Sequence, residues 1–383
     1  MAEAHATLAQ VMGGGRDALD AAQAALRLRE DNRAPIADVA QSLLVLCHVA
    51  TNMGDFSQAL LHCQRAQALY AESGATRSEA YRVTLSYLGV ALSYQGEHER
   101  AILVARERLS LTGELFGEDS IKLAMGRVAF AESLAEHGRF DEAESLLEAA
   151  VGVVSRRGGI CSTQYANTVF QFGRLHFLRG EFVPALAKLR EALAIQEAAI
   201  EGHDDNRLHV MRTALAQVLV ESGSAGEEPR VLLDSVILER SALDDTVREG
   251  ALAYARLPLA QWHVLRGEYV AALALLDQVE AVGSGVEAEL HARVAATRSL
   301  ILAANGDADG ARDMVQAAYE ITRKERGAEN PRTARHAMEY ARMLRRTGEI
   351  GAADALERRY RPVLEAAYPL ASAYRAKPGG AFR

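Results

Sequence analysis

The chain is poor in lysine, tryptophan, cysteine and proline, and each shortage closes off a class of protein. Four lysines (Lys122, Lys188, Lys324 and Lys377) leave arginine to carry nearly all the positive charge. With 43 basic against 51 acidic residues the net charge is −8. A basic face for phosphate backbones is therefore not expected, nor a nucleic-acid partner. Three cysteines, an odd number, give no disulfide framework. Cys47 and Cys63 fall on apolar helical positions and are expected to pack as small free hydrophobes. No apolar run approaches the length of a membrane span, and the N-terminus lacks a basic segment leading into an apolar one. The expectation is a cytoplasmic protein with no membrane partner. Aromatic residues make up only 6%, so alanine and leucine must build the core. No proline-rich, serine-rich or charged linker divides the chain.

What is present is a period. Glycines recur at 13, 54, 96, 138, 180, 223, 267, 306 and 348, spaced 39 to 44 residues apart. A fixed period of this size implies stacked like units. Apolar residues on either side of each glycine return every three or four positions, which is helical spacing. Glycine between two such stretches suits a helix end of positive φ, so each unit reads as a helix-turn-helix hairpin. Seven positions before the glycine stand Ala6, Cys47, Gly89, Ala131, Gly173, Ala216, Ala260, Ser299 and Ala341. Five positions after it stand Ala18, Ala59, Ala101, Ala143, Ala185, Ala272, Ala311 and Ala353. Small residues on both helices let the backbones approach closely. One unit breaks the second series, where Ser222-Gly223-Ser224-Ala225-Gly226 lengthens the turn.

A small residue late in helix A, a turn glycine, an aromatic two residues on and an alanine in helix B resemble the tetratricopeptide repeat family. The long period resembles its kinesin light chain-like variant, as does the inter-repeat segment Arg326-Gly327-Ala328-Glu329-Asn330-Pro331-Arg332-Thr333-Ala334. There Asn330 suits an N-cap and Pro331 the first helical turn. The resemblance implies an all-α, right-handed α-solenoid of stacked hairpins over residues 1–368. An abbreviated first unit spans 1–30, eight full repeats span 31–368, and 369–383 form a tail. The first helix A, ending near Met12, would leave Leu8, Val11 and Met12 partly uncovered. That edge is expected to meet a partner, to self-associate through the N-terminal hairpin, or to continue into upstream repeats. Arg361-Pro362 and Tyr368-Pro369 interrupt helical text at the other end, where Tyr360, Val363, Leu364 and Tyr368 are expected to cover the last hairpin.

Several constellations invite chemistry. Cys47-His48 and His62-Cys63 hold zinc-type ligands, but neighbouring helical residues point about 100° apart, so no metal site is expected. No metalloprotease, phosphate-loop or nucleophile-elbow motif occurs. An enzyme would have to use Arg174, Glu132 and His48 without an identifiable nucleophile and base. Neither catalysis nor a cofactor is expected.

The resemblance instead points to the concave face lined by the A helices. In this sequence its candidate residues are Leu44, His48, Tyr87, Val90, Tyr94, Glu132, Asn167, Phe170, Arg174, Phe177, Gln217, Tyr254 and Gln261. Apolar and aromatic groups with a few polar ones suit a protein or peptide segment. The asparagine ladder that holds peptide backbones in kinesin light chain-like arrays is absent, with Val45, Tyr87, Ala129 and Gln171 among the replacements. Pro258 is expected to bend its helix, and beside it Trp262 reads as core. Arg335, Arg342, Arg345 and Arg346 share helical spacing and suggest a basic patch at the end of the array. The function expected is a scaffold or sensor that docks a protein segment, placed in a bacterial regulatory system. The alternative is a receptor that closes over a small ligand or signal peptide.

Overall fold

Glycine turns and alanine seams, repeated down the chain, set the architecture. The computed structural model describes residues 15–200, 206–242, 245–283 and 288–367. Among these are seventeen helices and no strand, an all-α helical-repeat fold. The expectations that concern Leu8, Val11 and Met12, the tail from 369, and Tyr368 lie outside the described residues.

Contacts divide the chain into two units, Met1–Ser133 and Leu134–Arg383. The first holds α1 (Arg16–Asp31), α2 (Ile36–Asn52), α3 (Phe56–Glu72), α4 (Glu79–Tyr94) and α5 (His98–Phe116). The boundary falls inside α6 (Ile121–Glu136). The second unit continues with α7 (Phe140–Arg157), α8 (Thr163–Leu178), α9 (Phe182–Ala199), α10 (Asn206–Glu221) and α11 (Glu227–Arg240). It closes with α12 (Asp245–Leu265), α13 (Tyr269–Glu280), α14 (Ala288–Ala304), α15 (Ala308–Arg326), α16 (Pro331–Arg346) and α17 (Ile350–Ala367). Even-numbered helices from α2 to α16 are the A helices, and the odd-numbered helix after each is its B helix.

Each anchor glycine ends its A helix in the same way. From Gly54 to Gly348 all eight described anchors take positive φ, between 75° at Gly267 and 91° at Gly223. The next residue's N–H returns to the carbonyl five residues back, as in Asp55 to Ala50 at 3.0 Å and Glu268 to His263 at 2.9 Å. This pairing satisfies carbonyls that the helix end would otherwise orphan. Side chains cap the starts: Asp55 accepts from Gln58 N–H, Ser162 from Tyr165, and Asn330 from Arg332 with Pro331 at the first helical position.

The small positions form the seam between A and B helices. Ala131, Ala216, Ala260 and Ala341 before the turn, and Ala59, Ala143, Ala185, Ala272, Ala311 and Ala353 after it, are essentially inaccessible. Two glycines of the series differ sharply. A Cβ on Gly173 would sit 2.8 Å from Leu189 Cγ and 3.2 Å from its backbone nitrogen, whereas one on Gly89 would meet only Val104 Cγ1 at 3.9 Å. Gly89→Ala is expected to be neutral or to stabilise by up to about 1 kcal/mol, the helical advantage of alanine. Gly173→Ala should destabilise by about 1–3 kcal/mol through overpacking. Paired thermal melts test this, and equal shifts would refute the seam geometry.

Two expectations need correction. Cys47 and Cys63 are not free thiols: the structure joins them across the α2–α3 hairpin, with Cα atoms 5.3 Å apart. The seam that demands small residues also brings the two side chains into disulfide reach. Pro362 does not interrupt α17, which runs from Ile350 to Ala367. Pro258 likewise lies inside one element, α12. A proline costs one hydrogen bond, but its fixed φ is helical, and packing on both sides holds the helix together. Trp262 is core as expected: it packs with Val220, Leu233, Val236, Ala255 and Leu259. Its Nε1–H donates to the Gly226 carbonyl at 2.8 Å, anchoring the lengthened turn where the seam alanine is missing.

Candidate binding surface on the A helices

Within the first unit the expected residues divide by exposure. Leu44 is core. His48 is half-buried, its ring 5.1 Å from that of Tyr87. Burial lowers the His48 pKa and raises that of Tyr87. Val90 and Tyr94 are exposed, and Tyr94 stacks on Phe56 at 3.8 Å between ring centres. Glu132 is half-buried.

In the second unit Phe170 belongs to the core with Val169, Leu189 and Leu215. Gln261 is buried and donates to Thr297 Oγ1 at 3.2 Å. Phe177 packs against Phe182, their centroids 6.3 Å apart. Asn167, Arg174 and Gln217 are half-buried, and Tyr254 is exposed. Leu44, Phe170 and Gln261 therefore hold helices together, whereas Asn167, Arg174, Gln217 and Tyr254 are within reach of solvent.

Arg174 leads to a cluster that connects distant repeats of this unit. Its Nη2 lies 2.7 Å from Oε1 of Glu136, the last residue of α6. Glu136 Oε2 also meets Arg332 Nη2 at 2.8 Å and Arg326 Nη1 at 3.3 Å. Both of those arginines pair in turn with Glu289 of α14. The backbone takes part, since Asn330 Nδ2 donates to the Glu136 carbonyl at 3.0 Å across 194 residues of sequence. Pro331 presses so closely on Gly138 that a Cβ there would lie 2.8 Å from Pro331 Cγ, at a φ of +78°. The unit thus curls until the end of α6 meets the start of α16.

A second part of the cluster centres on Glu221, the last residue of α10. Gln217 donates to its Oε1 at 3.0 Å. Arg293 Nη2 stands 3.9 Å from Oε1, and Arg335 Nη1 stands 3.8 Å from Oε2. Burial opposes the charge of Glu136, but Arg332, Arg174 and Arg326 outweigh it and lower its pKa. For Glu289 burial is again outweighed, by Arg332, Arg326 and Arg293, and the carboxyl is pushed down to about 2. Burial draws Arg293 below the usual arginine range, while Glu221 and Glu289 oppose this. Both glutamates are ionised at neutral pH, because separating them from their arginines costs more than desolvating the pairs.

The four arginines expected at the end of the array are not brought together. Arg335 joins the interior cluster beside Glu221, whereas Arg345 pairs with Asp354 at 2.6 Å and Glu357 at 2.9 Å. Arg346 is exposed and Arg342 half-buried.

Glu136, Glu221, Glu289, Arg293, Arg326 and Arg332 were not among the expected groove residues, yet the register carried a signal. Asn167, Tyr254, Arg293 and Arg335 all stand thirteen residues before their anchor glycine, and Glu136 and Glu221 two before theirs. Following the first series into the last two repeats would have placed Arg293 and Arg335 on the same face as Tyr254. The pairing of α6 with α16 has no such signal.

Comparison with known proteins agrees with this architecture. Residues 122–198 match the family model of the tetratricopeptide repeat. No curated protein matches the sequence. Among solved structures the chain is similar to a Rap protein complexed with Competence and Sporulation Factor. The identity is 12%, over 90% of this chain and 80% of that one, with a TM-score of 0.52. The Rap conjugation gene regulator of the plasmid pLS20, in complex with the Phr* peptide, matches at 12% identity over 90% of this chain and 78% of that one, with a TM-score of 0.52. A putative kinesin light chain of nearly identical TPR-like repeats from Podosopora anserina shares 18% identity over 52% of this chain and 93% of that one, with a TM-score of 0.41. At such identities the likeness is one of fold.

Proposed function

The chain carries tetratricopeptide repeats, and from that premise we propose that it is a docking scaffold whose second unit binds a protein segment on its A-helix face. The observation that carries this reading is the register of Asn167, Tyr254, Arg293 and Arg335, which repeats along the A helices and keeps partly accessible polar and aromatic groups on one face. Such a mixture suits a partner held by its side chains. The missing asparagine ladder argues against a partner held by its main chain. Among the described residues no helix is long and apolar enough to cross a membrane, and the reading places the protein in the cytoplasm, in a bacterial regulatory system. The groove residues of the first unit, among them Tyr87, Val90 and Tyr94, are proposed to extend the contact surface on that unit.

A second reading is supported by the two Rap proteins, whose structures are described as complexes with Competence and Sporulation Factor and with the Phr* peptide. On it, the A-helix face receives a short signal peptide instead of a segment of a folded protein.

Affinity capture from native lysate separates the two. Wild type should enrich a specific protein, and the variant Tyr254→Glu plus Asn167→Glu should lose it by tenfold or more. A control, Arg346→Glu, should retain it. Equal recovery by all three would remove the A-helix face from the interaction. Thermal stabilisation by a low-mass fraction, with no protein captured, would favour the peptide receptor.

A further inference from the structure

Two kinds of contact hold the second unit together. Neighbouring hairpins share apolar cores: Val169 and Phe170 of α8 pack with Leu189 of α9 and with Met211 and Leu215 of α10. In a stack of repeats these nearest-neighbour seams carry the fold. The contact between the distant ends of the unit is of another composition. Glu136 pairs with Arg326 and Arg332, Asn330 Nδ2 donates to the Glu136 carbonyl at 3.0 Å, and the Pro331 ring lies on Gly138. Its groups are mostly charged or polar, so parting them returns them to water and leaves the apolar seams intact. The same closure brings A helices together that are not neighbours in the stack. Glu221 of α10 stands 3.9 Å from Arg293 of α14 and 3.8 Å from Arg335 of α16.

We propose that the contact between the end of α6 and the start of α16 is a latch that holds the second unit shut over its own A-helix face, and that releasing it opens the face without unfolding the hairpins. A segment entering between α10, α14 and α16 has to part helices that the closed unit holds within ion-pair distance of one another. The latch then sets the fraction of open chains, and the apparent affinity for such a segment scales with that fraction. This restraint on binding rests on the docking function proposed above, whereas the opening itself does not.

Two glycine variants test the latch without touching its charges. Gly138 and Gly267 occupy equivalent turns with φ of +78° and +75°, so alanine strains the backbone alike at both. At Gly138 the added Cβ would meet Pro331 Cγ at 2.8 Å, whereas at Gly267 it would meet nothing within 4 Å among the described residues. Gly138→Ala should therefore wedge the latch open and Gly267→Ala should leave it closed. The separation is read by double electron–electron resonance on the full chain, with spin labels at Glu148→Cys of α7 and Lys324→Cys of α15, both exposed. Cys161, a free exposed thiol, is replaced by serine. The otherwise unchanged chain and Gly267→Ala are expected to share one distance, and Gly138→Ala to show a longer one at unchanged helical circular dichroism. A single thiol placed on the A-helix face by Asn167→Cys should react with a maleimide roughly tenfold faster in Gly138→Ala than in Gly267→Ala. Glu136→Gln, which weakens the latch from its charged side, should lengthen the distance in the same way and decides the matter if Gly138→Ala does not fold. Equal distances and labelling rates in all these chains, or a longer distance that appears only with loss of helix, overturn the latch. Opening without any protein captured from lysate leaves the latch standing and sinks the docking function. Capture that Tyr254→Glu plus Asn167→Glu abolishes, by a chain whose ends never part, does the reverse. Where both hold, Gly138→Ala should enrich the captured protein more than Gly267→Ala, and equal enrichment removes the restraint on binding.

Discussion

Glu136→Ala is expected to cost about 3–5 kcal/mol, because removing one partner of a buried ion pair leaves the others uncompensated. Here Arg174, Arg326 and Arg332 all lose the same carboxylate, and the closure of the second unit between α6 and α16 loses its charged centre. A urea midpoint measured by circular dichroism reads the effect. Arg345→Ala, which removes the more exposed pairs with Asp354 and Glu357, should shift the midpoint far less, because water screens exposed pairs. If the two variants lose similar stability, the cluster is not what closes the unit. The same centre sets the response to acid. Glu289 has its carboxyl held near 2, below the ~4.3 of an unfolded glutamate, and Glu136 is lowered as well. A group depressed in the folded state contributes fully above its unfolded pKa, and that contribution fades as pH falls through the folded value. The urea midpoint should therefore drop between about pH 4.3 and 2, and less steeply in Glu136→Ala.

Tyr360→Ala is expected to cost about 3–5 kcal/mol, the usual range for emptying a large buried aromatic site. Tyr360 is fully buried under Tyr319, Ala334 and Ala337, at the last described hairpin. Its hydroxyl meets that of Tyr319 at 3.0 Å. Tyr360→Phe removes only that hydrogen bond, and the Tyr319 hydroxyl keeps its contact with Arg323 Nη1 at 3.5 Å, so it should cost about 0.5–1.5 kcal/mol. The difference between the two variants isolates ring packing from the hydrogen bond. Near-equal losses would mean that the ring contributes little to covering α15 and α16.

The hairpins were legible because their causes are local. A glycine at Gly138 or Gly267 ends a helix, an alanine at Ala143 or Ala272 sets its crossing, and each cause lies within a dozen residues of its effect. Cys47 and Cys63 show where this reading fell short. Their periodicity marks both as core, but their pairing depends on two side chains meeting across the seam. Pro362 differs from its sequence expectation for a related reason: a proline's local cost is offset by packing that the sequence does not display. Among the groove residues, Tyr254 and Asn167 could be placed by register, whereas Phe170, Gln261 and Leu44 share that periodicity and turn inward. Periodicity marks a face of a helix, and a helix inside a stack has neighbours on more than one face.

By itself the sequence determined the unit and its repetition: the helical hairpins, the positive-φ turns within them and the seam of small residues. These follow from the backbone preferences of glycine and the volume of alanine, which act at short range. Only the tertiary structure decided that Glu136 meets Arg332 and that Pro331 lies on Gly138. Such contacts depend on small rotations accumulated from one hairpin to the next, each set by side-chain packing at its own interface. No local pattern records their sum, so the charged centre of the second unit became visible only once the helices were stacked.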